Sequence, residues 1–502
     1  MASHLRKAYG GPLAEVIVGS ERAAVLRAAS RGWPSLTLHG TAASDAEMIV
    51  IGAYSPLKGF MTRAEADSVR EVGRLPGGLP WPSPITLQCS AELAGQVSAG
   101  DRVALRDREG VMLAALTVSE AWDEAGAWFL GGPLEALARP VHYDFRTLRP
   151  TVQELRAVLS MRGWLRTVAY HPQGVIGPRV HALTTAAARQ ARANLLLHAP
   201  VGGRDTADLH HYAQVRALRA VFGRYVGATT HLALLPHLAR QDPAREALLR
   251  AIVARNFGCS HLLHDANDGG ESRALLDRHA EEVGIEVIDG ASLPEAAGTQ
   301  DAPFPEVARE LERVNPPPSR QGFTVFFTGL SGAGKSTVAN VLLTMLLERG
   351  GRPVTLLDGD IVRQNLSSEL GFSKEHRDLN VCRIGFVASE ITKNGGVAIC
   401  APIAPYDAVR KQVRAAVSPG GGFTLVHVAT PLDVCERRDR KGLYAKARAG
   451  LIESFTGISD PYEAPDDAEI VLDTQALTPE EAANEVLLYL EGAGYLAPAG
   501  AV

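Results

Sequence analysis

From the start of the chain to about Val141, short apolar runs stand between Gly, Asp and Pro. AEVIVGS, DRVALRDREG and VMLAALTVSEAW alternate or cluster β-branched residues, which predicts a small mixed-β domain of short strands and turns. The pattern changes at Thr151. Thr151 and Glu154 have the spacing of a helix capping box, and Leu155, Val158 and Leu159 then recur at helical spacing. From there helical stretches alternate with apolar runs such as RTVAY, NLLLHA and SHLLHD, the rhythm of a parallel sheet covered by helices. A second change falls at VNPPPSRQG, where consecutive prolines continue neither a helix nor a central strand and predict a stiff linker or interdomain turn. Beyond it FTVFF, RPVTLLD, GVAICAP, TLVHVAT and EIVLD are apolar runs separated by helical stretches, which predicts a five-stranded α/β domain.

Composition narrows the class. A chain of 502 residues has room for about three domains. Hydrophobic content of 46% and charged content of 21% are ordinary for globular protein and exclude a wholly disordered chain. The net charge of −5 gives no support to a nucleic-acid binder or a polybasic membrane-surface protein. No apolar run approaches the roughly 18 residues that a membrane span needs, and MASHLRKAYGG lacks the apolar core of a signal peptide, so a cytoplasmic location is expected. Cys89, Cys259, Cys382, Cys400 and Cys435 are far apart with no CxxC pair, which points to thiols in a reducing compartment.

Chemistry is concentrated after the proline run. GLSGAGKST, residues 329–337, follows the run FTVFFT and opens a helical pattern. Gly329, Gly332 and Gly334, with Ser331 and Ala333 between them, let the backbone curl so that its N–H groups face an anion at the helix's positive end. Lys335 then reaches the terminal phosphates of ATP or GTP, Ser336 can ligate Mg²⁺, and Thr337 continues the loop into the helix. LLDGDIVRQNL places Asp358 and Asp360 at the carboxyl end of the second strand, where open α/β sheets hold ligands. Next to a bound Mg²⁺-nucleotide, such a pair can serve as a metal-water ligand (Asp358) and a base orienting the attacking hydroxyl (Asp360). Arg363, Arg377 and Arg383 add cations for a multiply charged acceptor. Phe372, an aromatic in a polar neighbourhood, can stack on a base or simply pack.

GLSGAGKST, LDGDIVR, LGFSKEHRDLNVCRI, KGLYAKARAG and FTGISDPYEAP occur in the order found in adenylyl-sulfate (APS) kinases, and residues 322–474 resemble that family, which phosphorylates the 3′-hydroxyl of adenosine 5′-phosphosulfate. The resemblance implies that Asp360 is the catalytic carboxylate near the 3′-hydroxyl. It implies that Arg363, Arg377 and Asn380 hold the phosphosulfate, that Phe372 stacks on the adenine of APS, and that Ile403 and Phe455 complete that site. Lys441 and Leu443 would belong to a lid that closes over both nucleotides and excludes water, with Arg438 on the ATP side. Where the family usually reads I-S-P-Y this chain reads IAPY. Ala404 has no hydroxyl, so direct in-line transfer without a phosphoenzyme at that position is expected.

IGAYSPLKGFM, LPWPSPITLQ, RPTVQELRAVLSMRGWLRTVAY, NLLLHAPVGG and DPAREALLRAIVARNFGCSH resemble ATP sulfurylase, which makes APS from ATP and sulfate. The resemblance implies an α/β chain in which residues 1–145 form a mixed-β, PUA-like domain and residues 146–313 a Rossmann-like domain. Residues 314–321 would then be a linker and residues 322–502 the P-loop kinase domain. The sulfurylase site motif A-F-Q-T-R-N-P-M-H-R-A-H is not preserved. Aligned from Ala169, its Gln, Arg and Asn become His171, Gln173 and Gly174, and its two histidines become Gly177 and Val180. The family's G-R-D-H-A-G loop is replaced by DANDGG, with Ala266 in place of arginine, so the pocket offers fewer donors to an anionic transition state. His171 and His181 are expected to carry no new metal or catalytic role, His261, His264 and Asp265 to be strand-end packing, and His210 and His211 to lie at the surface.

The favoured reading is an APS kinase using ATP, APS and Mg²⁺, attached to a sulfurylase-like region that has lost catalysis and serves assembly. One alternative is a bifunctional enzyme with an unorthodox sulfurylase site, and another is a regulatory nucleotide-binding module. Resemblance to fused sulfurylase–kinase proteins implies a homo-oligomer, a dimer of kinase domains within a closed assembly such as a hexamer. No nucleic-acid or membrane partner is expected.

Overall fold

The structure is a computed structural model that describes residues 5–202, 209–293, 302–439, 441–452 and 454–497, with the side chains of Leu209 and Asp360 outside that set. The chain divides into two compact units, Met1–Val314 and Asn315–Val502.

The first unit begins with a seven-stranded mixed sheet. Arg102–Arg106, Met112–Thr117 and Ala127–Ala136 form its antiparallel centre, and Ser35–Thr37 adds a parallel edge to Arg102–Arg106. Strand Ala127–Ala136 also pairs with Gly59–Phe60, Leu87–Cys89 and Glu120–Glu124. It turns among these neighbours at Gly132, where φ is +151° and a Cβ would lie 2.0 Å from the Thr117 carbonyl oxygen. Two local expectations fail here. AEVIVGS makes only an isolated bridge, Ile17 to Ala136. Gly40–Val50, which gave no sequence signal, is a helix. Its buried face includes Ser44, which donates to the Pro236 carbonyl at 2.7 Å, and Asp45, which pairs with Arg240, so polar residues in core positions hide its period.

Thr151 caps helix Val152–Met161 with a complete capping box. A five-stranded parallel sheet follows, in the order Thr230–Leu235, Asn194–Pro200, Thr167–Tyr170, His261–His264, Glu286–Asp289. The strand that comes first in the chain is central, so the VAYHPQG segment leaves the middle of the sheet at its carboxyl edge.

The second unit is a five-stranded parallel sheet, ordered Val354–Asp358, Val397–Ala401, Phe323–Thr328, Gly422–Val428, Ile470–Leu472. All residues of FTVFFT are buried, as expected of a central parallel strand covered on both faces. Phe323, Val325 and Phe327 pack in one core with Val338, Leu342 and Val486, from helices Lys335–Arg349 and Pro479–Gly492. Phe326 packs in the other with Ile384 and Val413, from helices Lys374–Lys393 and Asp407–Val417. Each buried Phe contributes on the order of 2–3 kcal/mol of transfer free energy. This central strand delivers the glycine-rich loop to the carboxyl edge of the sheet, between the ends of its two neighbours.

Candidate functional site: a phosphate loop facing a cationic acceptor pocket

Gly329, Gly332 and Gly334 have φ of +149°, +75° and +105°, the conformations that wrap the loop. At Gly329 a Cβ would lie 2.6 Å from the Val428 carbonyl oxygen, so a larger residue has no room. Helix Lys335–Arg349 starts at the loop's end. Lys335 is buried, and its ammonium donates to the carbonyls of Gly329 (2.9 Å) and Leu330 (2.8 Å). Burial pushes its pKa down to about 8, with the Lys441 charge acting in the same direction and Cys435 and Asp358 opposing it. A poorly solvated cation curled against its own loop is ready to exchange those carbonyls for phosphate oxygens.

Ser336 Oγ donates to the Asp358 carboxylate at 2.6 Å. A hydroxyl and a carboxylate side by side at a helix N-terminus are hard oxygen donors, suited to Mg²⁺ and its waters. Asp360 lies two residues further on, in helix Gly359–Asn365; its side chain is outside the described residues.

The phosphate loop is closed from behind. The Ala333 carbonyl accepts from the hydroxyls of Thr430 (2.9 Å) and Thr474 (2.8 Å). Arg438 donates to the Thr474 hydroxyl (2.9 Å) and carbonyl (2.8 Å) and reaches the Gly332 and Ala333 carbonyls at 3.5 Å, which puts it on the rim of the loop. Ser331 is tied to the lid segment: its carbonyl accepts from the Tyr444 hydroxyl at 2.8 Å. Thr337 is exposed at the start of the helix. In the lid, Lys441 is exposed and Leu443 half-buried. Helix Leu443–Arg448 is capped by the Asp439 carboxylate, which accepts from the Tyr444 and Ala445 amides at 3.0 Å.

On the acceptor side, the Arg363 guanidinium lies 4.4 Å from the Phe372 ring centroid and donates to the Leu370 and Gly371 carbonyls. Phe372 is 67% exposed, an aromatic platform with open area rather than a packing residue. Arg377 is mostly buried: its Nη1 donates to Thr456 (2.8 Å), its Nη2 to Tyr406 (3.0 Å) and Asp460, and its Nε has no partner. Asn380, one turn along, is buried with its Oδ1 unpartnered. Ile403 accepts from the Gly329 amide (3.3 Å) and the Thr328 hydroxyl (2.8 Å), which ties this side to the phosphate loop. Phe455 is buried edge-on to Tyr444, ring centroids 4.9 Å apart. Ala404 is buried, at φ +45°, with its carbonyl accepting from Arg410 at 2.9 Å. Arg383 is engaged by Glu369 at 2.6 Å and is not an open acceptor cation.

Tyr406, Tyr444, Thr474 and Asp460 gave no sequence signal of their own, since each works through a contact distant in the chain. The IAPY, KGLYAKARAG and FTGISDPYEAP segments that carry three of them were conspicuous, their hydrogen bonds were not.

The sulfurylase-like pocket is built differently. His171, His198 and His264 are buried with no partner on either ring nitrogen, and the His171 and His198 rings stack at 5.5 Å. Burial pushes His198 down to about 3 and His171 well below the usual imidazole range, so both are neutral. The arginine of VAYHPQGVIGPRVHALT, Arg179, is gripped by both oxygens of Asp265 at 3.2 and 2.9 Å. His181 packs on Tyr225, with ring centroids 4.5 Å apart. His261 bonds Ser260 at 2.7 Å and pairs with Glu286 at 3.2 Å. His211 corrects the expectation of a surface residue: it is buried against Asp144 at 2.8 Å, because its helix turns it inward. Among the described residues, the one cluster of three or more acidic, thiol or imidazole side chains close enough to share a cation is Asp407, Asp466 and Asp467, far in sequence from these histidines.

A parallel sheet with a phosphate loop at its carboxyl edge, a hydroxyl–carboxylate pair beside it and an aromatic-and-arginine pocket opposite defines a P-loop phosphotransferase. Residues 321–473 match the adenylylsulphate kinase family, residues 6–138 a PUA-like domain and residues 146–291 the ATP-sulfurylase family. The sulfate adenylyltransferase of Phaeosphaeria nodorum is 37% identical over 566 aligned positions, covering 97% of this chain and 99% of that protein. That of Aspergillus terreus is also 37% identical, over 97% of this chain and 98% of its own length. A hexameric APS kinase from Thiobacillus denitrificans is 43% identical, with a TM-score of 0.83 over 98% of this chain and 99% of that one. The chain belongs to the family of fused sulfate adenylyltransferase and adenylyl-sulfate kinase proteins, and its carboxyl-terminal unit is an APS kinase domain. Among the described residues, no helix is long and apolar enough to cross a membrane.

Proposed function

We propose that this protein transfers the γ-phosphate of ATP directly to the 3′-hydroxyl of APS, giving 3′-phosphoadenosine 5′-phosphosulfate (PAPS), and that its sulfurylase-like region no longer catalyses adenylyl transfer. The observation that carries the first part is the pairing of a cationic phosphate loop with an acceptor pocket in which Arg377 Nε and Asn380 Oδ1 are buried and unused. Orphaned polar groups of that kind cost about 1–3 kcal/mol each unless a ligand engages them.

Lys335 draws the terminal phosphates of ATP into the loop, and Ser336 with Asp358 would hold Mg²⁺, which when bound would supply charge neutralisation at the phosphates. Phe372 carries the adenine of APS, while Arg363, Arg377 and Asn380 hold its phosphosulfate, with Ile403 and Phe455 walling the pocket. Asp360 orients the 3′-hydroxyl and takes its proton as the oxygen attacks the γ-phosphorus, the bond from that phosphorus to the β–γ bridging oxygen breaks, and ADP leaves. Lys441 and Leu443 close over the nucleotides with Arg438 at the ATP side, and water is kept from the γ-phosphate. Ala404 presents a methyl group, so no phosphate is parked there. Asp360→Ala is expected to lower PAPS formation by about 100-fold or more while ATP binding is retained; full activity in that variant would remove Asp360 from the mechanism.

Loss of sulfurylase chemistry is supported by the charge of the old pocket. Its nearby arginine is neutralised by Asp265, His171 and His198 are uncharged, and Gly177, Val180 and Ala266 supply no side-chain donor, whereas adenylyl transfer must stabilise a developing anion. The names of the fungal relatives favour a second reading, in which some sulfate adenylyltransferase activity persists. The chain is further proposed to assemble as a homo-oligomer like the hexameric Thiobacillus enzyme, which light scattering measures directly.

A further inference from the structure

Arg377 is a nearly buried cation, with side-chain exposure of 11%, and such a charge needs a counter-charge and fixed acceptors. Among the described residues, the one carboxylate it pairs with is Asp460. The same Asp460 oxygen accepts from the Tyr406 hydroxyl at 2.6 Å, and Tyr406 itself accepts from Arg377 at 3.0 Å, so carboxylate, phenol and guanidinium close a triangle. The backbone of Asp460 is fixed as well: its amide donates to the Phe455 carbonyl at 3.1 Å and its carbonyl accepts from Gly457 at 2.7 Å. Asp460 therefore joins three segments of the acceptor side: the loop carrying Phe455, the IAPY segment carrying Ile403 and Tyr406, and the helix carrying Arg377 and Asn380. With Nη1 on Thr456 and Nη2 on Asp460 and Tyr406, the guanidinium plane cannot rotate, and Nε stays unspent one turn from the unspent Asn380 Oδ1.

We infer that Asp460 is a positioning residue for APS: it holds the Arg377 fork, through itself and Tyr406, in the orientation that receives the acceptor's anionic end. The inference rests on the assignment of Arg377 to APS. It also implies that an amide at position 460 keeps the acceptor oxygen that fixes the geometry while giving up the counter-charge.

The test uses the full chain and compares Asp460→Ala, Asp460→Asn and Arg377→Ala. KM for APS and ATP, kcat and the melting temperature are measured for each. Asp460→Ala is expected to raise KM for APS by about tenfold with KM for ATP within about twofold of wild type, because misaimed binding groups lose affinity for their own ligand first. Asp460→Asn is expected to recover part of that loss, its amide oxygen still accepting from Tyr406 and Arg377 while the counter-charge is gone. A KM for APS unchanged in Asp460→Ala but raised in Arg377→Ala would overturn the positioning role and leave the acceptor site standing. Equal rises in both KM values with a lowered melting temperature and no rescue by Asn would reduce Asp460 to a structural contact and overturn it too. A KM for APS unchanged in Arg377→Ala would overturn the assignment of Arg377 and this inference with it.

Discussion

Lys335 shows how burial sets the working range of a single charge. Its pKa is lowered from 10.5 to about 8 chiefly by burial, and a bound triphosphate restores the favourable field that the loop carbonyls supply only in part. ATP binding to the free protein is therefore expected to be flat below pH 8 and to weaken by up to about tenfold per pH unit from pH 8 towards 10.5, where binding must take up a proton. Isothermal titration at several pH values checks this, and proton uptake above pH 8 is the accompanying signature. The identity of this lysine was legible in the sequence because G-x-x-x-x-G-K-S fixes both loop shape and charge within eight residues. The unspent Nε of Arg377 was not legible, because it depends on Thr456, Tyr406 and Asp460, which come from other parts of the chain.

Among the elements, a hydrogen bond from Tyr444 to the Ser331 carbonyl joins the phosphate loop to the segment expected to form the lid, and the edge contact between Tyr444 and Phe455 backs it. Removing the hydroxyl in Tyr444→Phe leaves the packing and takes away the latch, worth about 1 kcal/mol. KM for ATP is expected to rise several-fold, and ATP hydrolysis without APS to increase, in a coupled assay that follows ADP and PAPS separately. The strands of the kinase sheet were readable because central parallel strands are continuous apolar runs, and all five apolar runs became strands. The amino-terminal sheet was read less well. AEVIVGS has the right composition but only a bridge's worth of partners, and helix Gly40–Val50 is masked by Ser44 and Asp45, whose burial is compensated by Pro236 and Arg240 about 190 residues away in the chain.

For the whole molecule, both units bury polar groups. In the kinase unit these include Arg377 Nε and Asn380 Oδ1, both unpaired, and in the first unit His171 and His198 are held neutral in the interior. An imidazole with a folded-state pKa far below 6.5 binds a proton in the unfolded chain first, so stability is lost as pH falls from about 6.5 towards 3. Each such group costs up to about 1.4 kcal/mol per pH unit across that window. The first unit is expected to melt progressively earlier below pH 6.5, and His171→Gln to flatten that acid limb in calorimetry of the full chain. The neutral, buried His171 and His198 and the Arg179–Asp265 pair support the proposal that the first unit is a scaffold and that the protein's chemistry belongs to the unit that begins at Asn315. One paired measurement on the purified wild-type chain decides this most directly. ATP, Mg²⁺ and APS should yield PAPS at a robust rate, and APS with pyrophosphate should yield no ATP above background; ATP formation from APS and pyrophosphate would contradict the loss of sulfurylase function, and absence of PAPS would contradict the kinase.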